Sequence, residues 1–374
     1  MKILHIIPAY KPAYGYGGPT ESVSRLCEGL AANGHEVDVY ATTANGKNEL
    51  DVIPGKAVNV EGVNVTYFKR ITGDHTHISP ALWIKLYQTA KNYDVIHLHS
   101  WWNILVVVAA RISLFSKTKT IVAPRGMLSK YIFTSGKSSQ KKLIHNLVGR
   151  KILAQCILHA TAYSEYLECR ELIPGWEGFV LPNILSLPAL PVIQNENKVF
   201  TLIFLSRIHP KKGLEMLFEA ISQLDINIKL KIAGNGEHKY IEELKNLAKN
   251  LSIESKIEWL GWLDREEKFK ELCNADLFVL ISINENFANV VIEALHMGTA
   301  VLISEDVGLA DFVKEKKMGW ISTLEVENIV KKLREAYSDK GKLMFVRQHG
   351  RVMIEQVFCE NVLINQYVEE YQKL

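Results

Sequence analysis

The chain has 374 residues, 48% of them hydrophobic and 23% charged, with a formal net charge of +3. That length exceeds one ordinary core, so two domains of roughly 150–200 residues are expected. The weak charge, with no RRM, KH, zinc-finger or basic-region pattern, argues against a nucleic-acid partner. Five scattered cysteines (27, 156, 169, 273 and 359), with no CxxC or HExxH spacing, support neither a disulfide framework nor a structural zinc site. The expected setting is therefore reducing and cytoplasmic. MKILHIIPAY is not a signal peptide, because His5 interrupts its apolar run and no small-residue cleavage site follows. The longest apolar run, ILVVVAA at 104–110, ends at Arg111, short of the roughly 18–20 residues of a membrane span. A membrane could be met only from its surface.

Along the chain, short β-branched runs alternate with longer amphipathic ones. KILHII (2–7) is expected to be a buried strand, PTESVSRLCEGLAANG a helix ending at Gly34, and HEVDVYAT the next strand. DVIHLHS (94–100), TIVAP (120–124) and CILHATA (156–162) continue the series. It restarts at FTLIFLS (200–206) and runs through IKLKIAG (228–234), KIEWLG (256–261), DLFVLIS (276–282) and TAVLIS (299–304). This alternation implies an α/β protein with parallel sheets covered by helices on both faces. PNILSLPALPVIQNENK (182–198), with three prolines and then a polar run, has linker composition. The expected division is 1–184 and 185–357, with a last helix at about 358–374 packing back on the first domain. Ligands of such sheets meet the carboxyl ends of strands, and two facing sheets would enclose a cleft.

Three strand-end segments carry unusual chemistry. In YGYGGPTESVSRL (14–26), Gly15, Gly17 and Gly18 allow close backbone approach and Pro19 suits a first helical turn. Such a helix start favours an anion, although glycines alone equally suit a plain turn, and the spacing is not GxGxxG. In LSRIHPKKGLEMLFEA (205–220), Arg207 and Lys212 can converge on a diphosphate; seen alone, a solvated basic turn is the commoner explanation. In ISINENFANVVIEALHMGTAVLIS (281–304), Glu285 precedes a helix start and Glu293 lies inside an apolar helical run. A buried carboxylate is costly unless hydrogen-bonded, and vicinal ribose hydroxyls would serve. The alternative is a partly exposed glutamate paired with a nearby lysine.

Taken together, these segments resemble the retaining glycosyltransferase family 4. Glu285 and Glu293 stand eight residues apart and are followed by Gly298-Thr-Ala-Val301. SRIHPKKGLE resembles the family's S-R-x-x-x-x-K-G segment, GGPTESVSRLCEGLAANGHEVDVYAT its opening loop and helix, and IAGNGE (232–237) and WLGWLD (259–264) two further segments in order. The resemblance implies a GT-B fold: two Rossmann-like, doubly wound parallel-sheet domains facing across a cleft. It implies that Arg207 and Lys212 bind the donor diphosphate, that Glu293 holds the ribose and that Glu285 contacts the donor sugar. The backbone around Gly17, Gly18 and Asn286, Phe287, Ala288, Asn289 and Val290 would cradle phosphates, and that around Gly236 and Trp262 would frame the base. A UDP-sugar donor is expected, without cofactor or metal, because no D-x-D occurs.

The sequence departs from that family where many members carry a T-x-H-G-like turn. Here the turn is VAPRGML, with Arg125 and Gly126; P-R-G-M resembles a subset that builds bacterial surface polysaccharides. Arg125 and His99, the latter in DVIHLHSWWN, are taken as candidate catalytic residues, a satisfied buried histidine being the other explanation for His99. Residues 127–151 are basic with interleaved apolar side chains, and Lys137, Lys141, Lys142 and Arg150 are candidates for contact with an anionic membrane surface or a lipid-linked glycan acceptor. The implied enzyme transfers sugar in surface polysaccharide or O-antigen synthesis, peripheral to the inner face of the cell membrane. The alternatives are a nucleotide-sugar 2-epimerase of similar fold and a catalytically inactive nucleotide-binding protein.

Overall fold

A computed structural model describes residues 1–129, 131, 132, 142, 145–188 and 197–374. It resolves into two units, Met1–Ser186 together with Glu360–Leu374, and Leu187–Cys359.

The first unit contains β1 (Lys2–Ile7), β2 (Glu36–Thr42), β3 (Ala44–Asn45), β4 (Asn48–Glu49), β5 (Ala57–Val60), β6 (Val63–Phe68), β7 (Val95–His99), β8 (Lys119–Ala123), β9 (Ile157–Ala160) and β10 (Gly178–Val180). Eight of these form one sheet in the order β10-β9-β8-β7-β1-β2-β6-β5, and β3 and β4 pair separately. Within the eight-stranded sheet only β5 runs antiparallel to its neighbour, β6. The β5–β6 hairpin was absent from the expected strand series. Its signal is present in V-N-V-E-G-V-N-V, where Glu61 and Gly62 both take positive φ (51° and 89°), as a tight two-residue hairpin turn requires.

Ile3, Leu4, Ile6 and Ile7 of β1 are all buried, as expected of a central strand covered on both faces. The helix Gly18–Ala32 buries Val23, Leu26, Cys27 and Leu30, a stripe of helical period. The last helix, Glu360–Lys373, belongs to this unit and buries Leu363, Ile364, Tyr367 and Tyr371. Ile364 packs where a side chain at Gly29 would stand, and Arg25 pairs with Glu360 at 2.7 Å.

The second unit contains β11 (Phe200–Leu205), β12 (Ile228–Ala233), β13 (Ile257–Gly261), β14 (Leu277–Leu280), β15 (Ala300–Ser304) and β16 (Gly319–Ser322). Their order is β13-β12-β11-β14-β15-β16, and every pairing is parallel. Both sheets are doubly wound. In each the connections reverse direction beside the first strand, between β1 and β7 and between β11 and β14, and ligands of such sheets bind at those switch points. No helix among the described residues is long and apolar enough to cross a membrane.

Candidate functional site

In the second unit, the loops leaving β11 and β14 lie side by side at the switch point. Ile283 N–H donates to the Lys211 carbonyl at 2.9 Å, and Ser282 Oγ donates to the same carbonyl at 3.1 Å. Gly213 makes this fit possible: its φ is +68°, and a Cβ there would collide with the Ile281 carbonyl. Glu285 is pinned from the other side, its N–H donating to the Asp306 carbonyl at 3.0 Å and its own carbonyl accepting from Gly308 N–H at 2.8 Å. Held in this way, the Lys212 ammonium donates to Glu285 Oε2. Both side chains remain partly reachable, at 11% and 23% exposure. The structure thus joins two residues that the sequence placed 73 positions apart.

Arg207, two residues beyond β11, is exposed and makes no ion pair among the described residues. Ile208 N–H donates to the Asn235 carbonyl at 2.8 Å, and Gly234 N–H donates to the Gly261 carbonyl at 2.7 Å. The ends of β11, β12 and β13 are therefore stitched together, which sets exposed Gly236 and Trp262 (67% exposed) along the same edge.

The helix Asn289–His296 begins after Ala288, whose φ of 60° turns the chain sharply. Phe287 and Ala288 are buried, and Phe287 meets Phe358 edge-on at 6.1 Å. Asn289 and Val290 occupy the first turn, where backbone amides lack intrahelical acceptors. Glu293 is buried at 5% exposure, and its Oε1 accepts from Lys268 Nζ at 2.6 Å. Its burial among Val291, Ile292, Ala294 and Leu295 is thus stabilised within the protein by a lysine on the helix Arg265–Asn274, itself started by an Asp264–Glu267 capping box. Exchanging Glu293 for glutamine should lower thermal stability by about 1–3 kcal/mol through the unpaired Lys268. If Glu293 also binds a ribose, the stabilisation that UDP confers should shrink in the same variant. Equal UDP-induced shifts in wild type and Glu293→Gln would leave Glu293 only its ion pair.

In the first unit the corresponding switch point is lined by histidines. His5 of β1 lies in register with His97 of β7, and His99 follows two residues on, on the same face. His5, His97, His99 and His159 (β9) are all completely buried. Burial holds His5 and His159 down to about 3, and His97 and His99 well below the ordinary imidazole value, so all four are neutral near pH 7. Buried in this way, His99 has protein partners at both ring nitrogens: its Nε2 meets His5 Nδ1 at 2.9 Å and its Nδ1 meets the Arg125 guanidinium at 3.4 Å. This is the satisfied buried histidine that the sequence offered as the other explanation for a strand-end histidine.

Arg125 leaves β8 with a positive φ of 53°, an uncommon conformation for a side-chain-bearing residue. Glu165 holds this turn by accepting from Gly126 N–H at 2.6 Å and from Thr161 N–H at 2.8 Å. Arg125 is partly exposed as a residue, and its guanidinium donates from Nη1 to Ser22 Oγ at 3.0 Å and to Asn183 Oδ1 at 2.8 Å. None of these partners is a carboxylate, and desolvation lowers the arginine's affinity for its proton. Asn183, Glu165 and Lys268 were not singled out from sequence; single polar residues far apart in the chain carry no spacing signal.

Gly17, with φ +73°, precedes the helix that opens at Gly18, and open space surrounds it. Its glycine is required by backbone conformation rather than packing. Lys142 and Arg150 are exposed, whereas Lys137 and Lys141 lie outside the described residues. His5, His97 and His99 bring ring nitrogens within 4.8 Å of one another, the spacing of a metal cluster. Both nitrogens of His97 and His99, and Nδ1 of His5, are already engaged in hydrogen bonds. The residues present therefore fit an imidazole network better than a metal.

Two family models match the chain: "Glycosyl transferases group 1" over residues 190–353 and "Glycosyl transferase 4-like domain" over residues 17–168. An uncharacterized glycosyltransferase of Methanocaldococcus jannaschii is 24% identical over 100% of this chain and 98% of its own length. The alpha-monoglucosyldiacylglycerol synthase of Streptococcus pneumoniae is 29% identical, covering 81% of this chain and 71% of its own. Among solved structures, Anabaena HepE in complex with UDP-glucose superposes with a TM-score of 0.78 at 20% identity over the full length of both chains, a likeness of fold.

Proposed function

We propose, from the premise that this chain belongs to the group 1 glycosyltransferases with a family 4-like N-terminal part and a GT-B fold, that it moves a sugar from a UDP-sugar to a glycan or lipid-linked acceptor with retained configuration. The observation that carries this reading is the Lys212–Glu285 pair at the β11/β14 switch point, with exposed Arg207 two residues beyond β11. Nucleoside diphosphate departure places growing negative charge on phosphate oxygens. Arg207, Lys212 and the amides at the start of Asn289–His296 stabilise that charge electrostatically, in a frame set before reaction. Glu285, fixed by backbone bonds on both sides, orients the sugar by accepting from its hydroxyls as the leaving group parts. This chemistry needs no metal, because two cations and a helix start supply the positive field.

A thermal-shift panel of UDP, GDP, ADP, NAD and several UDP-sugars tests the reading. UDP at 100 times its dissociation constant should stabilise the fold by about 2.7 kcal/mol. The strongest UDP-sugar then enters product analysis, where anomeric configuration reports retention and a 2-epimerised nucleotide-sugar would identify an epimerase instead. A GDP or ADP response changes the donor. Silence with every nucleotide would favour an inactive binding protein and overturn the proposal.

The acceptor side is proposed to meet an anionic membrane surface at its cytoplasmic face, in the synthesis of a bacterial surface glycan. Exposed Lys142 and Arg150 and 48%-exposed Val148 support this, together with the lipid named in the S. pneumoniae relative. The protein should sediment with phosphatidylglycerol vesicles at low salt and be released at high salt. Failure to sediment at low salt would remove the membrane from the proposal.

A further inference from the structure

The hydrogen-bond network behind Arg125 has a defined direction. The Leu181 carbonyl can only accept, so His159 carries its proton on Nε2, 2.9 Å away. That leaves His159 Nδ1 to accept from His97 Nε2 at 3.1 Å, and His97 Nδ1 to accept from the Tyr371 hydroxyl at 2.8 Å. Tyr367 donates to the Pro182 carbonyl at 3.0 Å and closes the same end. In the second branch the guanidinium can only donate, so His99 Nδ1 is bare and its proton sits on Nε2. This proton is donated to His5 Nδ1, which places the His5 proton on Nε2, a buried atom with no partner among the described residues. The two branches touch through the rings of His97 and His99, whose centroids are 4.2 Å apart.

We propose that His99, backed by His5, is a positioning residue that fixes the guanidinium of Arg125 by accepting from it at Nδ1, and that the guanidinium so held meets a phosphate group. Among the described residues, Arg125 is bound by neutral acceptors, Ser22, Asn183 and His99. Its positive charge is therefore aimed and left for an anion, since a guanidinium presents planar paired donors suited to phosphate. Naming that anion a phosphate rests on the transferase reading; the positioning role does not.

Histidine- and arginine-selective 15N labelling of the whole chain tests the positioning role without ligand or turnover. At neutral pH, His99 and His5 should show protonated Nε2 and bare Nδ1. The Arg125 Nε–H, assigned by its loss in Arg125→Gln, should exchange slowly with water. His99→Phe should speed that exchange tenfold or more, whereas His99→Asn, whose Oδ1 replaces the Nδ1 acceptor, should retain the protection. UDP release from UDP-glucose should follow the same order, falling on the order of 10- to 100-fold in His99→Phe and much less in His99→Asn. A His99 proton on Nδ1, an imidazolium, or unchanged Arg125 exchange in His99→Phe overturns the positioning role. So would one equivalent of zinc shifting His5, His97 and His99 together, since the three would then be a metal site. Adding UDP probes the phosphate: a shifted Arg125 Nε–H supports it. An unmoved signal with UDP bound elsewhere removes the phosphate claim while the tautomers still judge His99, and absent UDP binding indicts the transferase reading instead.

Discussion

Lys212→Ala is expected to lower kcat/KM for the UDP-sugar selected by the thermal-shift panel by on the order of 10²–10³-fold, the usual cost of removing one preorganised group from developing oxyanion charge. Without donor, the Lys212 ammonium is satisfied by Glu285. A diphosphate must compete with that carboxylate, so the two replacements should separate cleanly. Lys212→Ala removes the cation and harms binding and turnover together. Glu285→Gln frees the cation, so UDP should bind up to about fivefold tighter, a gain of at most about 1 kcal/mol for a partly exposed pair. The same change should slow sugar transfer, because the amide no longer accepts the sugar hydroxyls as a charged group. Calorimetry with UDP and UDP release from that UDP-sugar measure the two effects. Wild-type rates in both variants and in Arg207→Ala would remove the donor site from this part of the second unit.

The first unit should lose stability steeply in mild acid. His5, His97, His99 and His159 are neutral in the fold, with His5 and His159 held at about 3 and His97 and His99 well below the ordinary value. In the unfolded chain each titrates near 6.5. Below that pH the unfolded state binds more protons than the folded state, so unfolding is favoured as pH falls. The stabilisation is full above about 6.5 and is lost progressively toward about 3. At pH 5 a histidine held at about 3, such as His5 or His159, costs about 2 kcal/mol, and His97 and His99 act in the same direction. Urea titrations from pH 7.5 to 4.5, with limited proteolysis to assign fragments, should show the first unit's midpoint falling ahead of the second's. A flat first-unit midpoint across that window would mean that the histidines bind protons equally in the folded and unfolded states.

Local chemistry was enough to specify the alternating elements, because buried parallel strands need continuous β-branched runs and their helices need a 3.6-residue stripe. It also exposed the strand-end segments around Arg207, Lys212, Glu285 and Arg125, since glycines and charges beside apolar runs stand out within a few residues. Several strands escaped it. The β5–β6 hairpin was passed over although its turn signal lies at Glu61–Gly62, and β3, β4, β10 and β16 were likewise absent from the expected series. What the tertiary structure decided were the partners. Glu293 answers to Lys268 through helix packing, and Lys212 reaches Glu285 only because Gly213 lets one loop press against another. The burial of His99 was decided there too, because sequence shows that a histidine ends a strand but not whether its ring meets solvent or other imidazoles. Burial and pairing depend on residues dozens to hundreds of positions away, and only the folded chain brings them to one place.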